Sequence, residues 1–90
     1  MTQEKLNKQL LEACNNEEWE KAKELIEQGA DVKAKDSVKW TALHLAIYHS
    51  NLNMVKFLVK NGADVNAKDI DNDTPLRMAK HLAKHHERLS

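Results

Sequence analysis

The chain has 90 residues, and its 14 basic and 14 acidic side chains give a formal net charge of zero. This length fits one small domain or a short repeat array, while the balanced charge lacks the basic excess that nucleic-acid binders usually carry. A single cysteine excludes an intramolecular disulfide and a four-cysteine zinc site, and no apolar run approaches the ~18 residues that a membrane span requires. We therefore expect a cytoplasmic protein that binds neither nucleic acid nor membrane, although a secreted effector that acts inside a host cell stays open.

The chain is predicted to begin directly with a helix, without a preceding turn. The polar residues at its start suit the outer surface of an end unit; they are Gln3, Glu4, Lys5, Asn7 and Lys8. The segment Gly-Ala-Asp-Val-Lys-Ala-Lys-Asp, which starts at Gly29, returns at Gly62 with seven of its eight residues identical. The two copies are 33 residues apart, and Leu10 and Leu43 are separated by the same distance in sequence. The sequence therefore contains an internal repeat, which divides it into three units.

The second and third units each open with a helix that follows a threonine. Thr41 is a favourable N-cap because its hydroxyl can accept a hydrogen bond from the first turn, and Thr74 is followed by Pro75, which suits the first helical position. A further helix is predicted over 52–60 from its apolar spacing, and Gly62 supplies the left-handed residue that ends it. After residue 79 the pattern is lost, so the last segment is either one longer helix or two short ones.

A 33-residue unit of helix, turn, helix and protruding turn resembles the ankyrin repeat. The residues that carry the resemblance are Thr41-Ala42-Leu43-His44-Leu45-Ala46, Val55-Lys56-Phe57-Leu58-Val59, Asn61-Gly62-Ala63-Asp64-Val65-Asn66-Ala67 and Thr74-Pro75-Leu76. The resemblance implies an all-α, ankyrin-repeat α-solenoid of helix-turn-helix units joined by protruding, β-turn-like loops. We expect a single domain with an N-terminal capping repeat at 1–35, a full internal repeat at 36–68 and a truncated C-terminal repeat at 69–90.

The sequence departs from the ankyrin pattern at positions that are usually glycine. The glycine expected two residues before the capping threonine is Lys39 in the second unit and Asn72 in the third. The Gly-His pair expected between the two helices of a unit is replaced by Ser50-Asn51 and, in the first unit, by Glu17-Glu18. Because a left-handed conformation is costly for lysine, we expect a reshaped first turn and less tight turns between helices.

The resemblance also implies a non-catalytic module that binds a protein partner through a concave surface of turn tips and first helices. The residues that match this surface are Lys35, Ser37, Val38, Trp40, Tyr48, His49, Lys68, Ile70, Asp71, Asp73 and His81. Trp40, Tyr48 and Val38 are the expected anchors, because exposed aromatic residues are frequent binding hot spots. In a second interpretation, Trp40 packs over the neighbouring turn and covers its own backbone.

Three other residues are of types that can react or be modified, and each has an interpretation from packing or from the family resemblance. The resemblance implies that His44 bridges backbone groups of adjacent turns, and we expect Cys14 to pack between helices because no cationic neighbour activates its thiol. The segment Asp64-Val65-Asn66, with Leu58 eight residues before Asn66, resembles the ankyrin motif that an asparaginyl hydroxylase modifies. If the chain meets such an enzyme, we expect Asn66 to be its target. No catalytic constellation or cofactor motif stands out, so we expect no enzyme activity and no cofactor.

Two alternative functions belong to different classes. The truncated third unit could make the chain a structural or self-associating repeat protein, with Leu82 and Leu89 available for weak dimerisation; otherwise we expect a monomer. His81 and His85 are four residues apart, a helical spacing at which two imidazoles can chelate a divalent metal, although no clear third ligand accompanies them.

Overall fold

The structure, a computed structural model, describes residues 2–80 and contains four complete helices within that range. They are α1 (Gln3–Asn15), α2 (Trp19–Glu27), α3 (Ala42–Tyr48) and α4 (Leu52–Lys60), and residues 75–80 begin a further helix, α5. No strand occurs in this part of the chain. The predicted helices are confirmed here, including a first unit that starts directly with a helix. Whether the last segment forms one helix or two lies outside the described residues.

Each first helix of a unit begins at a threonine whose hydroxyl accepts a backbone hydrogen bond. Thr2 Oγ1 accepts from the amide of Lys5 over 3.2 Å, and Thr74 Oγ1 accepts from the amide of Arg77 over 3.1 Å. Thr41 caps α3 in the same way. The first amides of a helix have no partner inside it, so these hydroxyls stabilise each helix at the residue where it starts.

All four complete helices end in the same hydrogen-bonded turn, with one residue in the left-handed conformation. At the end of α4, the amide of Gly62 donates to Val59 O over 3.1 Å, and the amide of Ala63 donates to Leu58 O over 2.9 Å. The end of α2, at Gly29, has the same two bonds. This arrangement is the Schellman motif, which pairs carbonyl groups that the helix itself leaves free.

The turns between the helices of one unit form the Schellman motif without glycine. Ser50 has a φ of 57°, and Glu17 has a φ of 59° at the corresponding place in the first unit. The amide of Ser50 donates to Ile47 O over 2.9 Å, and α1 ends with the corresponding bond. The expectation of less tight turns is therefore wrong. These residues instead adopt a conformation that is unfavourable for a residue with a Cβ.

Apolar side chains at repeat-related positions form a core between the helix pairs. Leu10 and Leu43 are buried, and so are Ala13 and Ala46, and the members of each pair occupy the same position in successive units. Helix α1 packs against α2, α3 packs against α4, and α1 also contacts α3. Burial at the same register in successive units is what a stack of repeats requires, because each unit covers the apolar face of its neighbour. The stack fixes the spacing between the protruding turns.

Replacing Ser50 by glycine is expected to raise the free energy of unfolding by about 1 kcal/mol. The left-handed conformation costs a residue with a Cβ roughly 1–2 kcal/mol, and the greater freedom of glycine in the unfolded chain offsets part of the gain. Urea denaturation followed by circular dichroism measures the change. The matched control is Gly62→Ala, where an added Cβ would meet no atom within 4 Å and only the φ of 93° is unfavourable. The free energy of unfolding of this control should fall by about 1 kcal/mol. If Gly62→Ala were neutral or stabilising, the left-handed conformation would not be the cause of the cost.

Candidate functional site

The protruding turn of the second unit, residues 36–40, is built around one aspartate. Asp36 Oδ1 accepts hydrogen bonds from the amides of Val38 and Trp40, each over 2.9 Å. Lys39 closes the turn, because its amide donates to Asp36 O over 3.0 Å and its φ of 62° is left-handed. The carboxylate pairs amides that a short turn would otherwise leave to solvent. Lys39 thus adopts the left-handed conformation that glycine would have at this position. The expectation that the turn is reshaped is wrong.

The turn of the third unit, residues 69–73, has the same architecture. Asp69 Oδ1 accepts from the amides of Asp71 and Asp73 over 2.8 Å each, and the fourth residue of the turn has a φ of 63°. Burial by itself would raise the pKa of the Asp69 carboxyl, but these two bonds and a third from the Trp40 indole hold that pKa below its ordinary value. The carboxylate is therefore charged at neutral pH and organises the turn as an acceptor.

Three hydrogen bonds join the two turns across the boundary between units. They are Lys35 Nζ to Lys68 O (3.1 Å), Ile70 N to Val38 O (3.0 Å) and Trp40 Nε1 to Asp69 Oδ2 (2.9 Å). Each bond takes one group from each unit, in the turn or in the lysine just before it. Two of the three bonds use a backbone group that any residue could supply. The two tips are thereby held in a fixed register relative to each other.

Trp40 lies half-buried at this boundary and contacts both units. Besides its bond to Asp69, its ring stacks on His44 with centroids 5.8 Å apart and planes 11° apart. Tyr48 contacts Trp40 at a centroid distance of 5.5 Å, and Tyr48 itself is 62% exposed. These contacts fit the interpretation in which Trp40 packs over the neighbouring turn. Its role as a binding anchor stays a prediction.

An exposed apolar cluster surrounds this boundary. Val38 and Ile70 are 44% and 64% exposed, and the hydrogen bond between their backbones brings them onto adjacent turn tips. Tyr48 reaches the same region through its contact with Trp40. We call Val38, Trp40, Tyr48 and Ile70 the turn-tip cluster. The structure therefore brings together the apolar residues that the sequence assigned to one surface.

The polar residues of the predicted surface occupy the edges of these turns. Lys35, Ser37, Lys68 and Asp71 lie there with at least part of each side chain in solvent. Asp73 is half-buried, and its Oδ1 lies 3.5 Å from the guanidinium nitrogen Nε of Arg77. His81, the last residue of the predicted surface, lies outside the described residues, as does His85 of the candidate metal pair.

His49 lies at a different boundary, between the first and second units. Its Nδ1 is 3.6 Å from Glu17 Oε1, and its ring meets Trp19 edge-on at a centroid distance of 5.8 Å. A second edge-on contact, at 5.2 Å, connects it to Tyr48. Of these three contacts, the one with Tyr48 links His49 to the turn-tip cluster, and the other two join the stacked units.

An open groove between α1 and residues 34–37 was not predicted from the sequence. It has a volume of about 1010 Å³, and its lining includes Lys5, Lys8, Glu12 and Asn15 on α1. The repeat register contains the missing signal. Lys5 and Asn15 precede Val38 and Tyr48 by one repeat length. Applying the repeat offset to the surface that the resemblance assigned in the second unit would have extended it onto α1.

His44 holds the start of α3 and also reaches the next unit. Its Nδ1 accepts from the amide of Thr41 over 3.0 Å, and its own amide donates to Thr41 Oγ1 over 3.4 Å. Because Nδ1 is an acceptor, the proton of the neutral ring is on Nε2, which donates to Asp73 O over 3.4 Å. Burial lowers the pKa of His44, and the Asp73 carbonyl only partly offsets this. The implied bridge between adjacent turns is confirmed by these contacts.

Cys14 and Asn66 differ in accessibility. Cys14 is fully buried, and burial raises the pKa of its thiol to about 12, so the expectation of a packed, unactivated residue is confirmed. Asn66 is exposed, and its amide donates to Asp64 Oδ1 over 2.9 Å. Leu58, eight residues earlier, is buried. Modification of Asn66 by a hydroxylase stays a prediction.

Neither a metal cluster nor a spanning helix is found in the part of the chain that the structure describes. Within residues 2–80, no group of three or more His, Cys, Asp or Glu side chains is placed to hold a metal ion. None of the helices in this range combines the length and the apolar character needed to cross a membrane.

Comparison with protein families identifies the repeat. A family model of ankyrin repeats, with three copies, matches residues 7–87. The chain is an ankyrin repeat protein. The all-α solenoid fold expected from the resemblance is confirmed, while the unit boundaries at 36 and 69 stay a prediction. A search of the curated proteins finds no match. Ankyrin repeats are generally protein–protein interaction modules, and the family is typically non-catalytic.

Lowering the pH from about 7.5 to about 5 is expected to destabilise this ankyrin repeat protein through His44. Its pKa is lowered in the folded state by burial, so below the ordinary value of about 6.5 the unfolded chain takes up a proton first. The stability that the neutral His44 ring contributes is therefore fully present above about pH 6.5, and it decreases as the pH falls towards the folded-state pKa.

Urea denaturation across this pH range measures the effect. A His44→Gln variant is the control, and its stability should fall less than that of the wild type. An equal fall in both proteins would contradict the assignment. Asp69 does not interfere, because a carboxyl with a lowered pKa loses its contribution only below its ordinary value of about 3.8.

Cys14 is expected to react with iodoacetamide at about pH 8 at least about a thousandfold more slowly than in the urea-unfolded chain. A pKa raised from 9.0 to about 12 reduces the thiolate by this factor, and full burial also blocks access. Mass spectrometry of the alkylated protein measures the rate. The destabilised Gly62→Ala variant should react faster, because the reaction then proceeds through unfolding; rapid labelling of the folded wild type would contradict the prediction.

Proposed function

We propose that this ankyrin repeat protein binds a protein partner, without catalysis, through its concave surface of turn tips and first helices. The observation that supports this most is the turn-tip cluster, in which Val38, Tyr48 and Ile70 are each at least 44% exposed. Covering an apolar side chain of this size is favourable by roughly 1–2 kcal/mol. Several such side chains at one place are typical of a protein-binding surface.

The backbone beneath the cluster supports the same proposal. Val38 and Ile70 are on turns that a backbone hydrogen bond of 3.0 Å joins, and Trp40 is fixed by Asp69 on one side and by the His44 ring. A surface that is already ordered loses little conformational freedom when a partner binds. More of the energy of apolar contact is then available as affinity.

Charged residues at the edges would give the surface its specificity. Lys35 and Lys68 stand beside the cluster, and Asp71 and Asp73 belong to the turn of the third unit. Partly exposed charges of both signs contribute modestly to affinity but discriminate strongly against partners that place like charges opposite them. The proposal includes a monomeric, cytoplasmic protein whose partner is neither nucleic acid nor membrane, in keeping with the balanced charge of the chain.

Capture from a lysate of the cells that express the chain tests this surface. The variant carries Tyr48→Ala and Ile70→Ser, because both side chains are more than half exposed and neither belongs to the core. We expect the wild type to retain a protein that the variant retains at least about tenfold more weakly, since hot-spot truncations cost about 1–2 kcal/mol or more. Trp40→Ala is less suitable, because it also removes the bond to Asp69.

The matched control is Leu52→Ser, which changes a 72% exposed apolar residue on α4, away from the turn tips. This control should capture as the wild type does, after circular dichroism confirms that all three proteins fold. Equal retention by the Tyr48/Ile70 variant would exclude the turn-tip cluster as the binding surface. Failure of the wild type to retain any protein would count against the proposal as a whole.

A further inference from the structure

The first unit lacks the protruding turn of the other two units, and residues at the corresponding register positions line the open groove. Residues 3–7 correspond by the repeat offset to the turn 36–40, but they belong to helix α1. The groove is bounded by α1 on one side and by residues 34–37 on the other. The turn of the second unit therefore has a neighbour on its C-terminal side and an open groove on its N-terminal side.

The contact between the second and third turns shows what a stacked neighbour supplies. The third unit offers three groups, which are Lys68 O, Asp69 Oδ2 and the amide of Ile70. Residues 35–40 of the second unit satisfy all three with the Lys35 ammonium group, the Trp40 indole N–H and the Val38 carbonyl, over 3.1, 2.9 and 3.0 Å respectively. A stacked neighbour therefore supplies two hydrogen-bond donors, an ammonium group and an indole N–H, and one carbonyl acceptor.

The second unit has the same three groups on residues that line the groove, and within the described range no protein group bonds to them. They are Lys35 O, Asp36 Oδ2 and the amide of Ser37, each one repeat length before its counterpart. Among residues 2–80, no group donates to Lys35 O or to Asp36 Oδ2, and none accepts from the Ser37 amide. All three residues line the groove. Main-chain and carboxylate groups that are free of protein partners can bond to the backbone and side chains of an added segment, as in other modes of peptide recognition.

We propose that this groove binds a turn of a partner protein that imitates the missing turn of the first unit. The partner segment would place a lysine ammonium on Lys35 O, a backbone carbonyl on the Ser37 amide and a tryptophan indole on Asp36 Oδ2. Its chemistry is that of the chain's own second turn, Lys-Asp-Ser-Val-Lys-Trp. Leu11, which also lines the groove, is half-buried and offers apolar contact.

A second copy of this chain fits the groove less well than such a partner. Within residues 2–80, the turn such a copy could offer is that of the third unit, where Asp73 stands in the register of Trp40. In that arrangement the Asp73 carboxylate would face the carboxylate of Asp36, and like charges in contact are unfavourable. The second turn of another copy is already stacked against its own third turn. Head-to-tail association is therefore an outcome that the test must separate from partner binding.

This inference rests on the proposed protein-binding function and names the partner's chemistry at the N-terminal end of the same surface. The probe is a cyclised peptide that contains Lys-Asp-Ser-Val-Lys-Trp, because cyclisation holds the turn and lowers the cost of ordering. It is titrated into ¹⁵N-labelled protein, and amide chemical shifts report where it binds. We expect saturable shifts at the Ser37 amide and along the groove face of α1, with a dissociation constant below about 1 mM.

Two variants isolate the hydrogen bond at Ser37. Ser37→Pro removes the amide hydrogen while keeping the turn, because Ser37 is the first central residue of a turn closed from Lys39 N to Asp36 O, a position that favours proline. Ser37→Ala keeps the amide hydrogen and is the matched control. We expect the peptide to bind Ser37→Pro at least about fivefold more weakly than Ser37→Ala, and a peptide with phenylalanine in place of tryptophan to bind the wild type more weakly.

Three results would overturn the proposal: no saturable shifts at about 5 mM peptide, shifts that avoid the groove, or equal affinity for the two Ser37 variants. Concentration-dependent shifts at Ser37 without peptide would show that a second copy occupies the groove, and would also overturn it. Each of these is distinguishable from failure of the proposed function, because capture that depends on Tyr48 and Ile70 would remain. Loss of that capture would overturn both.

Discussion

The two oxygens of one aspartate carboxylate connect the shape of a turn to the stacking of the units. In the third unit, Asp69 Oδ1 accepts two amides of its own turn, while Oδ2 accepts the indole of Trp40 from the preceding unit. A charged acceptor makes stronger hydrogen bonds than a neutral one, and its lowered pKa keeps it charged. Losing this carboxylate would remove both the acceptor that holds the turn and one of the three hydrogen bonds to the preceding unit. Asp36 holds the second turn in the same way, but no group among residues 2–80 donates to its other oxygen.

The sequence predicted the helices well because their determinants are local or strictly periodic. Capping threonines, the terminal Gly62 and the apolar register of the repeat each specify a feature without knowledge of the partner unit. The two errors, at Lys39 and Ser50, have a common cause. Propensity assigns a cost to the left-handed conformation, but it does not count the hydrogen bonds that the surrounding turn gains from it. Those bonds hold both residues at φ near 60°.

The candidate surface was predictable in part. The resemblance to the ankyrin repeat assigned Val38, Tyr48 and Ile70 to one face, and the structure places them around Trp40. Whether an aromatic residue supports the fold or faces a partner depends on which group its polar atom contacts, as the Trp40 indole contacts Asp69 over 2.9 Å, and no spacing rule contains that contact. The groove beside α1 was missed for a different reason. The groove exists because the first unit has no protruding turn, and motifs in the sequence indicate the elements that are present but not one that is absent.

The positions of the two tryptophans have a spectroscopic consequence. Trp19 meets His49 across the boundary between the first and second units, whereas Trp40 bonds to Asp69 across the boundary between the second and third. Indole emission responds to quenching by nearby imidazole and to solvent contact, so each boundary has its own intrinsic fluorophore. Single-tryptophan versions of the chain would therefore report whether the array separates at both boundaries together or one at a time.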